Sequence, residues 1–371
     1  MRHLYIHIPF CARRCSYCDF SIAVRKRIPA REFLACVERE LGLLESAPQE
    51  SLDSVYLGGG TPSLLPADAT AGLLSAVMAA FPQTASDAIE ITLEANPEDV
   101  TPDAARAWRR AGINRVSLGA QSFDDRVLRW MHRAHDATRI GVAMQTLRET
   151  GFDNVSLDLI FAVPADLGRD WSRDLDRALA LRPEHLSLYG LTVEERTPLA
   201  RWIARGATAA PDDERYAAEY LFAHERLREG GYRFYEVSNA SLPERRSRHN
   251  SAYWADRPYL GLGPAAHSYD GSVRRWNLAA WQQYRQVVMT GRSPIASTEL
   301  LTADQRELER VYLGLRTADG LALTASDRLR PPLTAWQAAG WVELRGDRLV
   351  CTPEGWLRLD ALVRDLTRLG D

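Results

Sequence analysis

Short runs rich in apolar residues alternate with longer amphipathic stretches over the first half of the chain. The short runs, at residues 3–8, 54–57, 89–93, 115–118, 154–160 and 185–189, are nearly continuous in apolar character. Strands covered on both faces read this way. Between them the periodicity predicts helices over 30–46, 66–80, 102–111, 124–131, 137–150 and 171–181. Boundary residues agree: Thr101 and Pro102 supply an N-cap with proline in the first turn, and Gly112 and Gly151 follow predicted helix ends. Six strand–helix units in series predict a parallel sheet with right-handed crossovers. The fold class expected is α/β, an incomplete parallel (β/α)6 TIM-like barrel with a smaller C-terminal α+β winged-helix-like module. A curved sheet of that kind places ligands at the carboxyl ends of its strands.

After about residue 195 the alternation stops, and three regions are expected: 1–195 as the barrel, 196–298 as an extension and connector, and 299–371 as the C-terminal module. Residues 212–230 predict one long amphipathic helix, with Tyr216, Tyr220, Leu221 and Leu227 among its apolar positions, and 232–237 a further strand. Small residues between Tyr259 and Tyr269 permit close backbone approach, and 274–297 reads as a connector with one helix. The last region predicts helices over 303–316 and 333–339, then a hairpin of 341–344 and 348–351 about Arg345, Gly346 and Asp347. No basic recognition helix accompanies this pattern, so a docking or lid module is expected and nucleic acid is not an expected partner.

Composition changes the picture little. Net charge is −3, and Lys26 is the only lysine, so positive charge rests almost wholly on arginine. Five cysteines, an odd number, with Cys36 and Cys351 isolated, fit a reducing compartment. No secretory signal and no 18-residue apolar stretch is visible, so a cytoplasmic location without a transmembrane segment is expected.

The chemistry concentrates at the predicted strand ends. Cys11, Cys15 and Cys18 follow the first strand with the spacing C-x3-C-x2-C. Three thiolates on one loop can converge on a soft metal centre. A four-iron cluster usually takes four thiolates, so one iron would stay open to an exchangeable ligand. Zinc is the rival reading, although its sites usually take four Cys or His ligands. Later strands run into Gly58-Gly59-Gly60-Thr61, Glu94-Ala95-Asn96, Gly119-Ala120-Gln121, Asp158 and Gly190-Leu191-Thr192. Glycines let backbone groups meet a charged ligand closely. Glu94 and Asp158 could accept from ribose hydroxyls or an amine, Arg133 could pair a carboxylate, and Gln121 can donate and accept. A carboxylate at a strand end can equally be a helix cap.

These residues resemble a known family. The cysteine motif with Tyr17 before its last member is similar to the signature of radical S-adenosylmethionine proteins. The stretch Tyr5–Cys11, Gly58–Ser63, Glu94–Pro97, Leu118–Phe123, His132–His135 and Asp158–Ile160 resemble the branch holding oxygen-independent coproporphyrinogen III dehydrogenase and the HemW-type heme chaperones. The resemblance implies a [4Fe–4S] cluster on Cys11, Cys15 and Cys18 with S-adenosylmethionine as fourth ligand. It implies S-adenosylmethionine contacts at Tyr5, Tyr17, Gly59, Gly60, Thr61, Glu94, Gln121, Arg133 and Asp158, with Thr192 close by.

Within that branch the dehydrogenase carries a further cysteine two positions after the third, where this chain has Phe20, and a longer segment before its cysteines. Both differences point to the chaperone. So does His249-Asn250-Ser251-Ala252-Tyr253-Trp254, similar to the H-N-x-x-Y-W motif associated with heme binding. An imidazole can ligate heme iron, Tyr and Trp can pack the macrocycle, and Arg245, Arg246 and Arg248 could meet propionates. From spacing alone a capped turn anchored by its aromatics explains the motif as well. The expectation is a heme chaperone that passes heme to an unidentified acceptor. The alternatives are radical decarboxylation of coproporphyrinogen III and a radical enzyme with an unrelated substrate.

Overall fold

The computed structural model describes residues 1–44, 49–82, 89–324, 327 and 333–367. Six strands follow the predicted alternation: β1 (His3–Ile8), β2 (Ser54–Gly59), β3 (Glu90–Ala95), β4 (Arg115–Gln121), β5 (Val155–Phe161) and β6 (His185–Gly190). They are parallel neighbours in chain order. Their connections carry α1 (Ala30–Leu41), α2 (Ala67–Ala80), α3 (Pro102–Arg110), α4 (Asp125–Trp130), α5 (Ala137–Glu149) and α6 (Trp171–Ala180). The helix expected over 30–46 closes at Leu41, and residues 45–48 lie outside the described ones.

Parity refines the reading of these strands as continuously apolar. Successive side chains point to opposite faces of a sheet. Leu4, Ile6, Val55, Leu57, Val116, Leu118, Leu157 and Leu159 are fully buried in the core beneath the helices. The alternate positions, including Tyr5, Tyr56, Ser117, Asp158 and Ser187, form a polar concave face. The helices therefore hold the barrel by its outside, and the inside is free to bind polar groups.

The sheet has twelve strands rather than six and is not closed. After α7 (Pro198–Ala204) and α8 (Asp213–Glu229), the short strands β7 (Arg233–Glu236) and β8 (Asn239–Ser241) add antiparallel beside β6. Beyond α9 (Arg248–Trp254), β9 (Tyr259–Leu262) pairs in parallel with the free side of β1. Three antiparallel strands extend that side: β10 (His267–Tyr269), β11 (Val273–Asn277) and β12 (Ile295–Leu300), with α10 (Trp281–Met289) before the last.

The stretch expected as a small-residue approach is thus two strands, and the expected connector carries two more. Their sequence hides them because β9 holds a glycine and β12 is exposed along most of its length, which leaves no apolar period. The glycine has a packing reason: a Cβ at Gly261 would lie 2.0 Å from the His267 carbonyl oxygen.

The C-terminal region begins with α11 (Ala303–Arg316), capped by Thr302 and Gln305, and continues through β13 (Leu321–Ala322), α12 (Leu333–Ala338), β14 (Val342–Arg345), β15 (Arg348–Cys351), α13 (Pro353–Trp356) and α14 (Leu359–Thr367). The expected helices and hairpin are present, and β13 completes a three-stranded sheet in the order β13–β15–β14. No described helix is long and apolar enough to cross a membrane.

Candidate functional site

The cysteine loop leaves the end of β1 and is closed at its base. Phe10 and Cys11 pair with Ala23 and Val24, and the Arg25 N–H donates to the Cys11 carbonyl at 2.9 Å. Two helix ends hold the loop from outside, the end of α4 through Ser16 N–H to Met131 O at 3.2 Å and the start of α7 through Leu199 N–H to Ser16 O at 2.9 Å. Cys11 is buried and Cys15 and Cys18 are partly exposed; all three are free thiols. Tyr17 packs against a buried cluster that includes Val127, Met131 and Leu199.

Two donors reach the sulfurs. The Thr61 hydroxyl lies 3.4 Å from Cys11 Sγ, and Arg133 Nη1 lies 3.5 Å from Cys15 Sγ. Burial pushes the Cys11 thiol up to about 11, so its thiolate needs a nearby positive charge, which bound iron supplies. A four-iron cluster gives each thiolate its own iron. Its sulfurs therefore need not converge on one ion, and among the described residues no three His, Cys, Asp or Glu side chains do so. The donor set, three thiolates with a hydroxyl and a guanidinium directed at them, fits such a cluster.

Around the loop the strand ends supply polar groups. The Gly60 N–H donates to Ile8 O at 2.8 Å and Thr61 N–H to Phe10 O at 2.8 Å, which lays the glycine turn against the start of the cysteine loop. A Cβ at Gly60 would sit 2.7 Å from Phe10 O. Glu94 accepts from Tyr56 OH at 2.9 Å and from Gly59 N–H at 3.0 Å, and burial raises it to about 7. Tyr5 OH is 3.0 Å from His7 Nδ1, whose other nitrogen meets Ser21 O at 2.9 Å.

On the far side, Arg133 Nη2 donates to Asn96 Oδ1 and, at 2.8 Å, to Gly119 O, while its buried Nε has no partner among the described residues. A register shift between Gly119 and Gln121 puts Gln121 at φ 64°. Asp158, opposite Gly119 across β4 and β5, accepts from Ser117 Oγ at 3.0 Å, and burial raises its pKa. Thr192 stands apart, exposed, with its hydroxyl turned to Gly190 O at 3.4 Å. Phe20 is 61% exposed.

The heme-motif residues lie on α9, which Glu90 anchors by accepting from Arg248 N–H at 3.0 Å and His249 N–H at 3.1 Å. Ser247 caps the helix. His249 is buried and stacked on Tyr56 with ring centres 5.1 Å apart. Both of its nitrogens are engaged: Nδ1 with Ser54 Oγ at 2.8 Å and Nε2 with Tyr253 OH at 2.9 Å. Burial, then the charges of His3 and Arg115, lowers it to about 3, so it is neutral. Asn250 Nδ2 donates to Tyr235 OH at 3.1 Å. Trp254 faces the other way, with the Arg316 guanidinium 4.1 Å from its ring centre. Arg245 and Arg246 pair with Asp153 and Asp319.

Sequence reasoning passed over Tyr56, Ser117 and Arg115, and gave Asn96, at a strand end, no role. Strand parity could have found three of them: Tyr56 precedes Gly58 by two positions, and Arg115 and Ser117 share the parity of Gly119 and Gln121.

Residues 5–178 match the family model described as Radical SAM superfamily, and residues 301–358 that of the HemN C-terminal domain. The chain is 40% identical to the heme chaperone HemW of Mycobacterium tuberculosis, with 98% of this chain and 94% of that protein covered. It is 32% identical to HemW of Bacillus subtilis over 87% of this chain and 85% of that protein. With the mitochondrial radical S-adenosyl methionine domain-containing protein 1 of Bos taurus it shares 34% identity over 98% and 86%. Its fold is similar to that of coproporphyrinogen III oxidase (HemN) from Escherichia coli, with a TM-score of 0.80 at 23% identity over 98% and 89% of the two chains.

Proposed function

This chain belongs to the HemW family of the radical S-adenosylmethionine superfamily, and from that membership we propose that it is a heme chaperone. It binds heme and passes it to an acceptor protein while carrying a [4Fe–4S] cluster with S-adenosylmethionine as an exchangeable ligand. The observation that carries the reading is 40% identity, spread over 98% of the chain, to a protein named a heme chaperone. Phe20 supports it, since a phenyl ring offers no thiolate where the decarboxylating branch has one.

In this reading Cys11, Cys15 and Cys18 each hold one iron. Tyr5, Tyr17, Gly59, Gly60, Thr61, Glu94, Gln121, Arg133 and Asp158 surround S-adenosylmethionine, with Thr192 at the margin. When bound, the two groups supply one-electron radical chemistry. Thr61 and Arg133 offset negative charge at the sulfurs. Glu94, fixed by Tyr56 and Gly59, is an acceptor that sits between its two protonation states near neutral pH. Heme contact is assigned to His249, Asn250, Tyr253 and Trp254. Ligation by His249 requires it to release Ser54 or Tyr253, because neither nitrogen is free.

The test is anaerobic. After cluster reconstitution, heme binding is followed by absorbance and coproporphyrinogen III decarboxylation by product analysis. Stoichiometric heme binding without turnover is expected; sustained decarboxylation would overturn the chaperone reading. If His249 is the ligand, His249→Ala weakens heme binding and Tyr253→Phe, which frees Nε2, strengthens it. Equal heme affinity in both variants removes His249 from the heme site. Cys11→Ala, Cys15→Ala and Cys18→Ala should each abolish the reduced-cluster signal, and its survival in all three would refute the cluster assignment.

A further inference from the structure

The concave face holds a cavity of about 190 Å³, partly open to solvent, between β4, β6 and α9. Its wall is rich in hydroxyl, imidazole and amide groups, and most of these are already committed. His185 meets Ser156 Oγ at 2.8 Å through Nδ1 and Tyr235 OH at 2.8 Å through Nε2. Tyr235 in turn takes a bond from Asn250, and His249 has both nitrogens engaged.

Arg115 is different. It is the first residue of β4, is 2% exposed, and lines the cavity. Among the described residues its Nε has no hydrogen-bond partner, and no carboxylate lies within ion-pairing distance of its guanidinium. The acidic groups that share the interior feel the Arg115 charge only through space, and their hydrogen bonds go elsewhere, those of Glu94 to Tyr56 and Gly59 and those of Asp158 to Ser117 and Ser156. An arginine guanidinium stays charged throughout the physiological range. Taking such a charge out of water costs several kcal/mol unless an anion offsets it. A buried, unpaired guanidinium turned into a cavity is therefore a site with one half of an ion pair in place.

We propose that this cavity binds a carboxylate group, with Arg115 as its ion-pair partner. One guanidinium among neutral hydroxyls matches a single monoanion, whereas a phosphate dianion calls for further cations or a nest of backbone N–H groups. The rings of Tyr5, Tyr56 and Tyr189 flank the space and suit a short apolar stem behind the carboxylate. Tyr189, at 47% exposed, stands on the open side. Such a carboxylate comes either from a free short-chain acid or from a propionate arm of heme. The second source rests on the heme reading above; the first does not.

The probes are sodium propionate and neutral propionamide, titrated into the cluster-reconstituted full chain by calorimetry and thermal denaturation at constant ionic strength. Saturable binding and stabilisation by propionate but not propionamide are expected. Arg115→Gln should weaken propionate about tenfold or more, the range for a charge-assisted bond, and Arg106→Gln, on the exposed face of α3 in an ion pair with Asp103, should leave it in place. Where Arg115→Gln fails to fold, Arg115→Lys keeps the charge but loses the fork and is expected to weaken binding severalfold.

Equal responses to the two probes, no response, or equal loss of binding in Arg106→Gln and Arg115→Gln would each overturn the site. Hemin and its dimethyl ester separate the sources. Selective loss of hemin affinity in the Arg115 variants identifies a propionate arm, and unchanged hemin affinity with loss of propionate identifies a free acid. Failure of heme binding altogether leaves the propionate result standing by itself.

Discussion

At Gly60 the limiting contact is with backbone. A methyl group there would meet Phe10 O at 2.7 Å and Pro9 C at 2.8 Å, atoms that cannot swing aside as a side chain would. Forcing that contact costs about 1–3 kcal/mol by analogy with overpacked cores, and the strain falls on the segment that presents Cys11. Gly60→Ala is therefore expected to lower iron incorporation while far-ultraviolet dichroism shows the fold retained. Gly141 in α5 is the control, with nothing within 4 Å of an added Cβ, and Gly141→Ala should keep full iron content. Equal iron in the two variants would remove the steric role of Gly60. The cysteine spacing and the glycine run could be read without coordinates because their chemistry is local in sequence. Strand parity puts Arg115 on the same face as Gly119, but its lack of a partner among the described residues could not be read, because partners are set by distant strands.

Among the elements, α1 shows how the added half of the sheet is held. Its Glu40 accepts from Gly263 N–H at 2.8 Å, from Asn277 Nδ2 at 2.5 Å and from Tyr284 OH at 2.5 Å, so one carboxylate joins α1 to the ends of β9 and β11 and to α10. Burial raises it from 4.5 to about 7 despite these bonds. A folded-state value above the unfolded one means the folded chain holds its proton more tightly. The resulting stability is fully present below about pH 4.5 and is lost as pH rises to about 7. Glu40→Gln should flatten this slope, so the difference in unfolding free energy from urea titration between pH 5 and pH 7.5 shrinks by about 1–3 kcal/mol relative to the parent. Parallel pH profiles for the two proteins would refute the assignment.

The alternation of β1–β6 with helices is visible in the sequence because each strand carries apolar residues toward its helices. Strands β9–β12 are not, because they are short, contain glycine, or lie exposed, and only the free side of β1 determines where they pair.

For the whole molecule, Arg316 is where the barrel, the α9 motif and the C-terminal region meet. Its carbonyl accepts from Val237 N–H at 3.2 Å, its guanidinium covers Trp254 at 4.1 Å, and its Nη2 lies 3.2 Å from Glu236, whose side chain is fully buried. Removing one member of a buried ion pair leaves the other uncompensated, at about 3–5 kcal/mol. Arg316→Ala should lower the unfolding free energy by that order, seen as a lower urea midpoint, and Glu236→Gln in the same chain should recover part of it. An unchanged midpoint in Arg316→Ala would show that the three parts are held together elsewhere.

The two sides of β1 are completed at very different moments of synthesis. Its partner β2 is made by residue 59, but the strand on its other side, β9, ends only at residue 262. At ordinary translation speeds the intervening chain takes about 10 to 40 s to appear. Throughout that interval the strand that delivers the cysteines is an open edge, with unpaired backbone groups ready to recruit any extended segment nearby. The cysteine loop is thus made long before the strand that completes the pairing of its supporting strand on both sides.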